Sequence, residues 1–301
     1  MLAGVEKAIR TQRRIEREMS AIEAALTGLI DYAGLYPPAG LDMGSAVRNY
    51  LDYLGHEHAW VLGRFIVDLT RLDELRAEAG DRVGDMRLSV LADVDADLNA
   101  VAQYRSRGLR IEALEIKCDE PLRIARICER LPPDVECYFE IPVRSGCSGS
   151  VDAMGAVGVR AKLRMGGVVP EAFPEPCDVA HRLHLLADRK VAFKATAGLH
   201  HPLRETHRLT YANDSPRALM HGFINLLCAV ALLHFGGTED EATRMLAEQN
   251  AGEFHMDADS IGVGGHKWAS AQLDEVRQCF TGFGSCSFVE PLHDLEAIGW
   301  L

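Results

Sequence analysis

Short aliphatic and β-branched runs alternate with segments of helical apolar spacing along most of the chain. Between Val5 and Leu29 the apolar residues Ile15, Met19, Ile22 and Leu26 recur every three or four positions with charges between them, which predicts an amphipathic helix. Strand patterns follow at Gly28–Tyr32, Trp60–Val67, Arg87–Asp93, Glu112–Lys117, Glu136–Val143, Val157–Leu163 and Val191–Thr196. Helical patterns lie between them, at Ser45–Tyr53, Leu98–Ser106, Pro121–Leu131 and Cys177–Ala187. A long helical stretch, Pro216–Phe235 with Glu239–Glu248, then precedes an eighth strand at Gln278–Phe283 and a closing helix at Pro291–Ile298.

Regular β-then-α alternation predicts parallel strands joined by crossover helices. Eight such units favour a closed ring over an open sheet, and no GxGxxG follows the first strand, which weakens a dinucleotide-binding fold. The expected architecture is therefore one (β/α)8 TIM barrel over residues 29–301. An extra N-terminal helix within residues 1–28 packs on it, and a helical insertion at about 216–266 precedes the last strand.

Composition narrows the function classes. A formal net charge of −12 argues against nucleic-acid or anionic-membrane partners, which need clustered positive charge. The eight cysteines form no CxxC pair and sit largely in apolar runs, so they read as reduced core residues. With Met1–Arg17 too dense in charge for a signal peptide, the expected compartment is the cytoplasm. The most apolar run, Phe223–Phe235, is too short to span a bilayer and carries Asn225 and His234. It is expected to lie buried under the insertion or in a homo-oligomer interface. No cofactor motif is visible.

In a parallel barrel, chemistry gathers at the C-terminal strand ends. Asp31 ends the first predicted strand, Arg64 lies within the second and Asp93 ends the third. Glu115 and Lys117 close the fourth, Glu140 lies in the fifth, Lys162 and Arg164 follow on the sixth, and Lys194 on the seventh. Glu115 and Lys117 share a face, as do Lys162 and Arg164, because strand side chains alternate. Two lysines on adjacent strands carry a rationale: lysine is nucleophilic only when neutral, and a nearby ammonium in a dry mouth disfavours protonation. A neutral amine attacks a carbonyl, the resulting iminium draws electrons from a C–C bond, and Glu115 or Asp93 moves protons. Arg164, His200, His201 and Arg204 add cationic character suited to a carboxylate or phosphate; the two histidines serve equally well as helix caps or solvent-exposed residues.

These residues resemble the deoxyribose-phosphate aldolase group of class I, Schiff-base-forming aldolases. Leu29-Ile30-Asp31-Tyr32-Ala33-Gly34-Leu35-Tyr36-Pro37-Pro38 is similar to that family's first-strand segment, and Tyr138-Phe139-Glu140 to its fifth-strand pattern. The resemblance implies that Lys162, in Ala161–Gly166, stands where the family carries its Schiff-base lysine. Lys194, in Phe193–Gly198, stands where the family carries its second, pKa-lowering lysine. Gly284-Ser285-Cys286-Ser287 resembles the glycine and serine turn that binds phosphate after the eighth strand, while Gly198 reads either as part of a phosphate cradle or as an ordinary turn residue needing positive φ. The sequence departs in Tyr32 and Tyr36, in Leu163-Arg164 after the first lysine and in Leu199–Arg204 after the second, which implies a different substrate. The expected activity is a lyase acting on a small anionic carbonyl compound without a cofactor or metal. Two alternatives stand beside it: a Mg²⁺-dependent enolising enzyme using Asp93, Glu115 and Glu140, and a non-catalytic barrel that binds an anionic metabolite. His200, His201 and His207 lack the supporting ligands of a zinc site.

Overall fold

The computed structural model describes residues 19–301 apart from 133 and 145. Seven parallel strands form most of a ring: β1 (Ile30–Tyr32), β2 (Leu62–Asp68), β3 (Arg87–Ala92), β4 (Arg110–Lys117), β5 (Glu136–Ile141), β6 (Arg160–Arg164) and β7 (Phe193–Thr196). The chain then makes a hairpin, β8 (Glu205–Arg208) with β9 (Arg217–Met220), and a three-stranded antiparallel sheet, β10 (Phe254–Met256), β11 (Ser260–Val263) and β12 (His266–Ala269). It returns as β13 (Phe280–Ser285), which inserts between β7 and β1 and closes the barrel. The closing register sets Asp31 beside Gly284 and Tyr32 beside Ser285. The closed eight-stranded parallel barrel matches the architecture read from the sequence.

Helices surround the ring: α1 (Ala21–Leu26), α2 (Met43–Tyr53), α3 (Leu72–Ala79), α4 (Asn99–Ser106), α5 (Pro121–Cys128), α6 (Ser148–Val157), α7 (Pro176–Asp188), α8 (Phe223–His234), α9 (Glu239–Ala247), α10 (Ser270–Cys279) and α11 (Val289–Ala297). Local chemistry starts and stops them. Ser20 and Glu23 form a reciprocal capping box on α1, and Thr238 and Glu241 form another on α9. Proline opens α5 and α7, where its missing N–H costs nothing. Most of the predicted N-terminal helix lies outside the described residues; its described part, α1, packs on α10 and β11.

The segment before β13 differs from the expected purely helical insertion. Besides α8 and α9 it holds the sheet β10–β12, and the hairpin β8–β9 comes just before them. Gly264 and Gly265, both at positive φ, make the two-residue turn between β11 and β12, a turn that selects glycine at both positions. Helix α8 is buried from Phe223 through Leu233. Helices α7, α9 and α10 together with β11 cover it, so its apolar surface is satisfied within the chain. Among the described residues no helix is long and apolar enough to cross a membrane. All eight cysteines are free thiols; most are buried or half-buried, but Cys177 is exposed at the start of α7.

The barrel interior is polar where branched aliphatics commonly fill it. Its lower layer, toward the N-terminal strand ends, is an ion-pair lattice. Arg64 reaches Glu112 (3.1 Å) and Glu136 (3.0 Å), Arg160 pairs with Glu136, and the Tyr138 hydroxyl joins Glu136, Arg160 and Thr281. A register shift between β3 and β4 moves the partner of Leu88 and Ser89 from Ile111 to Ala113. The extra residue, Glu112, is thereby turned inward although it stands three positions from the inward-facing Glu115.

Candidate active site

Directly above that lattice the two lysines meet around one carboxylate. Register pairs Lys162 with Lys194 across β6 and β7, and Glu140 with Lys162 across β5 and β6. Glu115, from β4, reaches between the amines: Lys162 Nζ lies 2.8 Å from Oε2, and Lys194 Nζ donates to Oε1 at 2.6 Å. Ser89 also donates to Oε1 at 2.6 Å. Lys194 makes its second ion pair with Asp31, whose other oxygen accepts from the Arg64 main-chain N–H at 2.6 Å. That carboxylate fits because residue 63 is glycine; a Cβ there would stand 2.3 Å from Asp31 Oδ1. Lys162 makes its second pair with Glu140 (3.1 Å), which Arg164 also contacts (3.2 Å).

The two amines therefore share one set of counter-ions, and neither faces the other bare. The sequence suggested that like charge would keep one amine neutral; the structure inserts a carboxylate between them. The physical reason is the cost of burying two ammonium groups without compensation. Burial opposes charge on Lys194, but Asp31 and Glu115 outweigh it and hold its ammonium above the usual lysine range. Burial likewise opposes charge on Glu115, but Lys162 and Lys194 hold its carboxyl well below the usual range. Lys194 also stands 5.5 Å from the centre of the Tyr138 ring, a cation–π contact. It is a fixed, enclosed cation.

Access distinguishes the lysines. A cavity of about 370 Å³ opens at the C-terminal mouth, lined by Lys162, Glu115, Arg164, Gly198, His200 and Gly284 among others. Lys194, at 1% exposure, does not line it. Gly198 has φ +70°, and a Cβ there would stand 2.8 Å from the Gly166 Cα, so the loops after β6 and β7 touch only because neither carries a side chain. The hairpin β8–β9 roofs the cavity with Leu209 and Met220, which cluster with Phe173.

Other predicted residues stand elsewhere. Arg64 faces inward but from the lower half of β2, where Glu112 and Glu136 neutralise it. Asp93 falls beyond the end of β3, exposed at the rim and outside the lysine cluster. Lys117, paired in register with Glu140, lines a neighbouring cleft of about 680 Å³ that shares Arg164 with the lysine cavity. His201 pairs with Asp294 (2.5 Å) and stacks on His207, and both histidines line an adjoining cavity of about 310 Å³ and not the lysine cavity. Arg204 folds back beneath the hairpin, its Nη1 on His221 Nδ1 at 3.0 Å. Ser287 accepts from the Glu290 N–H and so caps α11, while buried Ser285 lies against His200. Neither serine lines the cavity. Among the described residues, the His and acidic side chains close enough to share an ion are Glu57, His58 and Glu296, near the opposite end of the barrel.

Sequence reasoning assigned no role to Tyr36 and Asp68. The Tyr36 hydroxyl donates to Asp68 Oδ2 at 2.8 Å on the cavity wall, and burial together with Asp68 raises its pKa far above the usual tyrosine value. The signal was Asp68, which ends its strand straight after the apolar run Phe65–Val67. Cys286 lines the cavity too, beside the Tyr211 hydroxyl at 3.6 Å.

No family model matches this chain, and no curated protein matches it. Fold and site together define a closed parallel barrel with a lysine–carboxylate cluster at its C-terminal mouth.

Proposed function

We propose that the protein is a class I, aldolase-type lyase in which Lys162 forms a Schiff base with a small carbonyl substrate. The observation that carries this reading is the position of Lys162: its amine borders the open cavity while Glu115, 2.8 Å away, ties it to the enclosed cation Lys194. Glu115 or Glu140 takes a proton from the Lys162 ammonium, and the freed amine attacks the carbonyl carbon. The C–N bond forms as the carbonyl π pair moves to oxygen. That oxygen gains two protons and leaves as water, which gives the iminium. The iminium then accepts the electron pair of the adjacent C–C bond in cleavage; in synthesis its enamine supplies the pair that forms the bond.

Lys194 remains charged throughout and stabilises Glu115 as an anion. Arg164, half-exposed on the cavity wall beyond Lys162, suits a carboxylate or phosphate on the substrate. The magnesium alternative loses its basis in geometry, because Asp93 stands apart and Glu115 and Glu140 are engaged by lysines.

Borohydride reduction in the presence of a panel of small aldehydes and keto acids, followed by peptide mass spectrometry, tests the proposal. A stable adduct on Lys162, lost in Lys162→Ala and insensitive to EDTA, is expected. No adduct across the panel would leave a barrel that binds an anionic metabolite through static ammonium groups.

A further inference from the structure

We infer that His200 is a catalytic residue that hydrogen-bonds the oxygen of a second carbonyl compound, the one joined to or released from the carbon skeleton held on Lys162. This inference rests on the Schiff-base reading and names the partner that its C–C step requires.

The geometry starts with two chambers. Beside the 370 Å³ lysine cavity lies another of about 310 Å³, and the two share Pro38, His200, Leu209 and Met220 as walls. Lys162 borders only the first. A reaction joining two carbonyl compounds needs one place for the imine and an adjoining place for its partner, and His200 stands between the two.

The ring is oriented through one nitrogen. Nδ1 faces Ser285 Oγ (3.4 Å), Cys286 Sγ (3.8 Å) and Glu290 Oε2 (3.8 Å). Ser285 Oγ accepts from the Ser287 N–H at 3.4 Å and still carries a hydrogen that it can give to Nδ1, the direction of the bond that the inferred role takes. The hydrogen of the neutral ring then sits on Nε2. Among the described residues none hydrogen-bonds that nitrogen, and the residue that carries it lines both chambers.

Charge state fits the role. Burial, with His201 and His207 nearby, pushes the imidazole down to about 4, so His200 is neutral at pH 7. It therefore does not supply the cationic anion recognition suggested by the sequence; it is a neutral donor. When the enamine carbon gives its electron pair to the second carbonyl carbon, the π pair moves to that carbonyl's oxygen. A fixed N–H stabilises the growing negative charge. Water supplies the proton that completes the hydroxyl, and His200 keeps its own.

The test uses pyruvate and acetaldehyde as imine-forming probes and glycolaldehyde as the second carbonyl. Three readouts are followed: borohydride-trapped mass on Lys162, exchange of the probe's α-hydrogens in D₂O, and the C–C-bonded product. In His200→Ala, trapping and exchange are expected within about threefold of wild type while C–C bond formation falls by about 30-fold or more. His200→Gln, whose amide N–H partly replaces Nε2–H, is expected to recover about tenfold of that loss. C–C bond formation unchanged in His200→Ala, or trapping and exchange falling in step with it, overturns the role of His200 alone. A wild-type protein that forms no Lys162 adduct overturns the Schiff-base reading and this inference with it.

Discussion

Two ion-pair lattices stacked inside one barrel pair carboxylates with different kinds of cation. The lower one joins Glu112 and Glu136 to Arg64, Arg87 and Arg160; the upper one joins Asp31, Glu115 and Glu140 to Lys162 and Lys194. No member of the lower set lines the lysine cavity. A guanidinium does not surrender its proton in a protein and fixes two oxygens at once, so the lower lattice is a scaffold. An ammonium can give up a proton in a reaction step where a guanidinium does not, and the upper lattice puts one such amine at the edge of a cavity. On the proposed function, similar electrostatics yield architecture below and a reactive group above; the kind of cation and its access make the difference.

The sharpest way to break that comparison is Lys162→Arg, which makes the upper lattice resemble the lower one. Trapping and turnover are expected to fall by about 10³-fold or more, with the melting temperature changed by only a few degrees. Arg64→Lys, the converse change, is expected to create no adduct at residue 64. An adduct surviving in Lys162→Arg would place the nucleophile elsewhere.

Next in size is Glu115→Gln, which leaves two buried ammonium groups sharing the remaining acids. A loss of about 3–5 kcal/mol is expected from urea unfolding. Glu112→Gln, whose carboxylate is a quarter exposed, is expected to cost about 1–2 kcal/mol. Equal costs would mean that the two layers are equally dry.

Acid acts on both chamber walls and scaffold. Burial pushes His200, His207 and His221 down to about 4. As pH falls below 6.5, the unfolded chain binds protons on these rings before the folded chain does. Their stabilisation is therefore present above pH 6.5 and lost progressively down to pH 4, by about 3 kcal/mol for the fully buried His221. Urea midpoints at pH 7, 5.5 and 4 measure the slope, and His221→Gln is expected to flatten it. Glu115 adds its own loss only as pH falls below the ordinary carboxylate range, because its folded pKa is depressed. A midpoint unchanged from pH 7 to 4 would contradict this ordering.

Gly198→Ala is expected to cost about 1–2 kcal/mol, comparable with Glu112→Gln, from a positive φ and the contact with Gly166. Trapping is expected to fall with it as the loops after β6 and β7 separate. A stable, fully active variant would show that their contact does not shape the cavity.

Much of this arrangement was legible in the chain. Ionisable residues within apolar strands of a parallel barrel have nowhere to point but inward, so Asp31, Glu115, Glu140, Lys162 and Lys194 could be grouped from alternation alone. Depth was not legible. Arg64 and Glu115 are both inward-facing, and only the stagger of neighbouring strands decides that one belongs to the floor and the other to the mouth. Nor was the bulge at Glu112, because it depends on pairing across strands. Gly264-Gly265 did carry a hairpin signal, but the strong helical pattern of Phe223–Leu246 masked it. His201 and Arg204 followed the second lysine closely in sequence, yet His201 is drawn to Asp294 and Arg204 to His221, away from that lysine.

Closing the ring through β13 has a consequence for assembly. Asp31 comes from the first strand, Lys194 from the seventh, and the ladder that holds β1 beside β7 through β13 forms only when residues 280–285 are in place. A chain lacking that segment has no ladder to hold β1 beside β7, so Asp31 and Lys194 are not kept together and the lysines titrate as ordinary hydrated amines. On the Schiff-base reading, the counter-ions that tune the amine of residue 162 are assembled only in the finished ring, so borohydride trapping belongs to the closed barrel and not to a chain that has yet to pass this topological checkpoint.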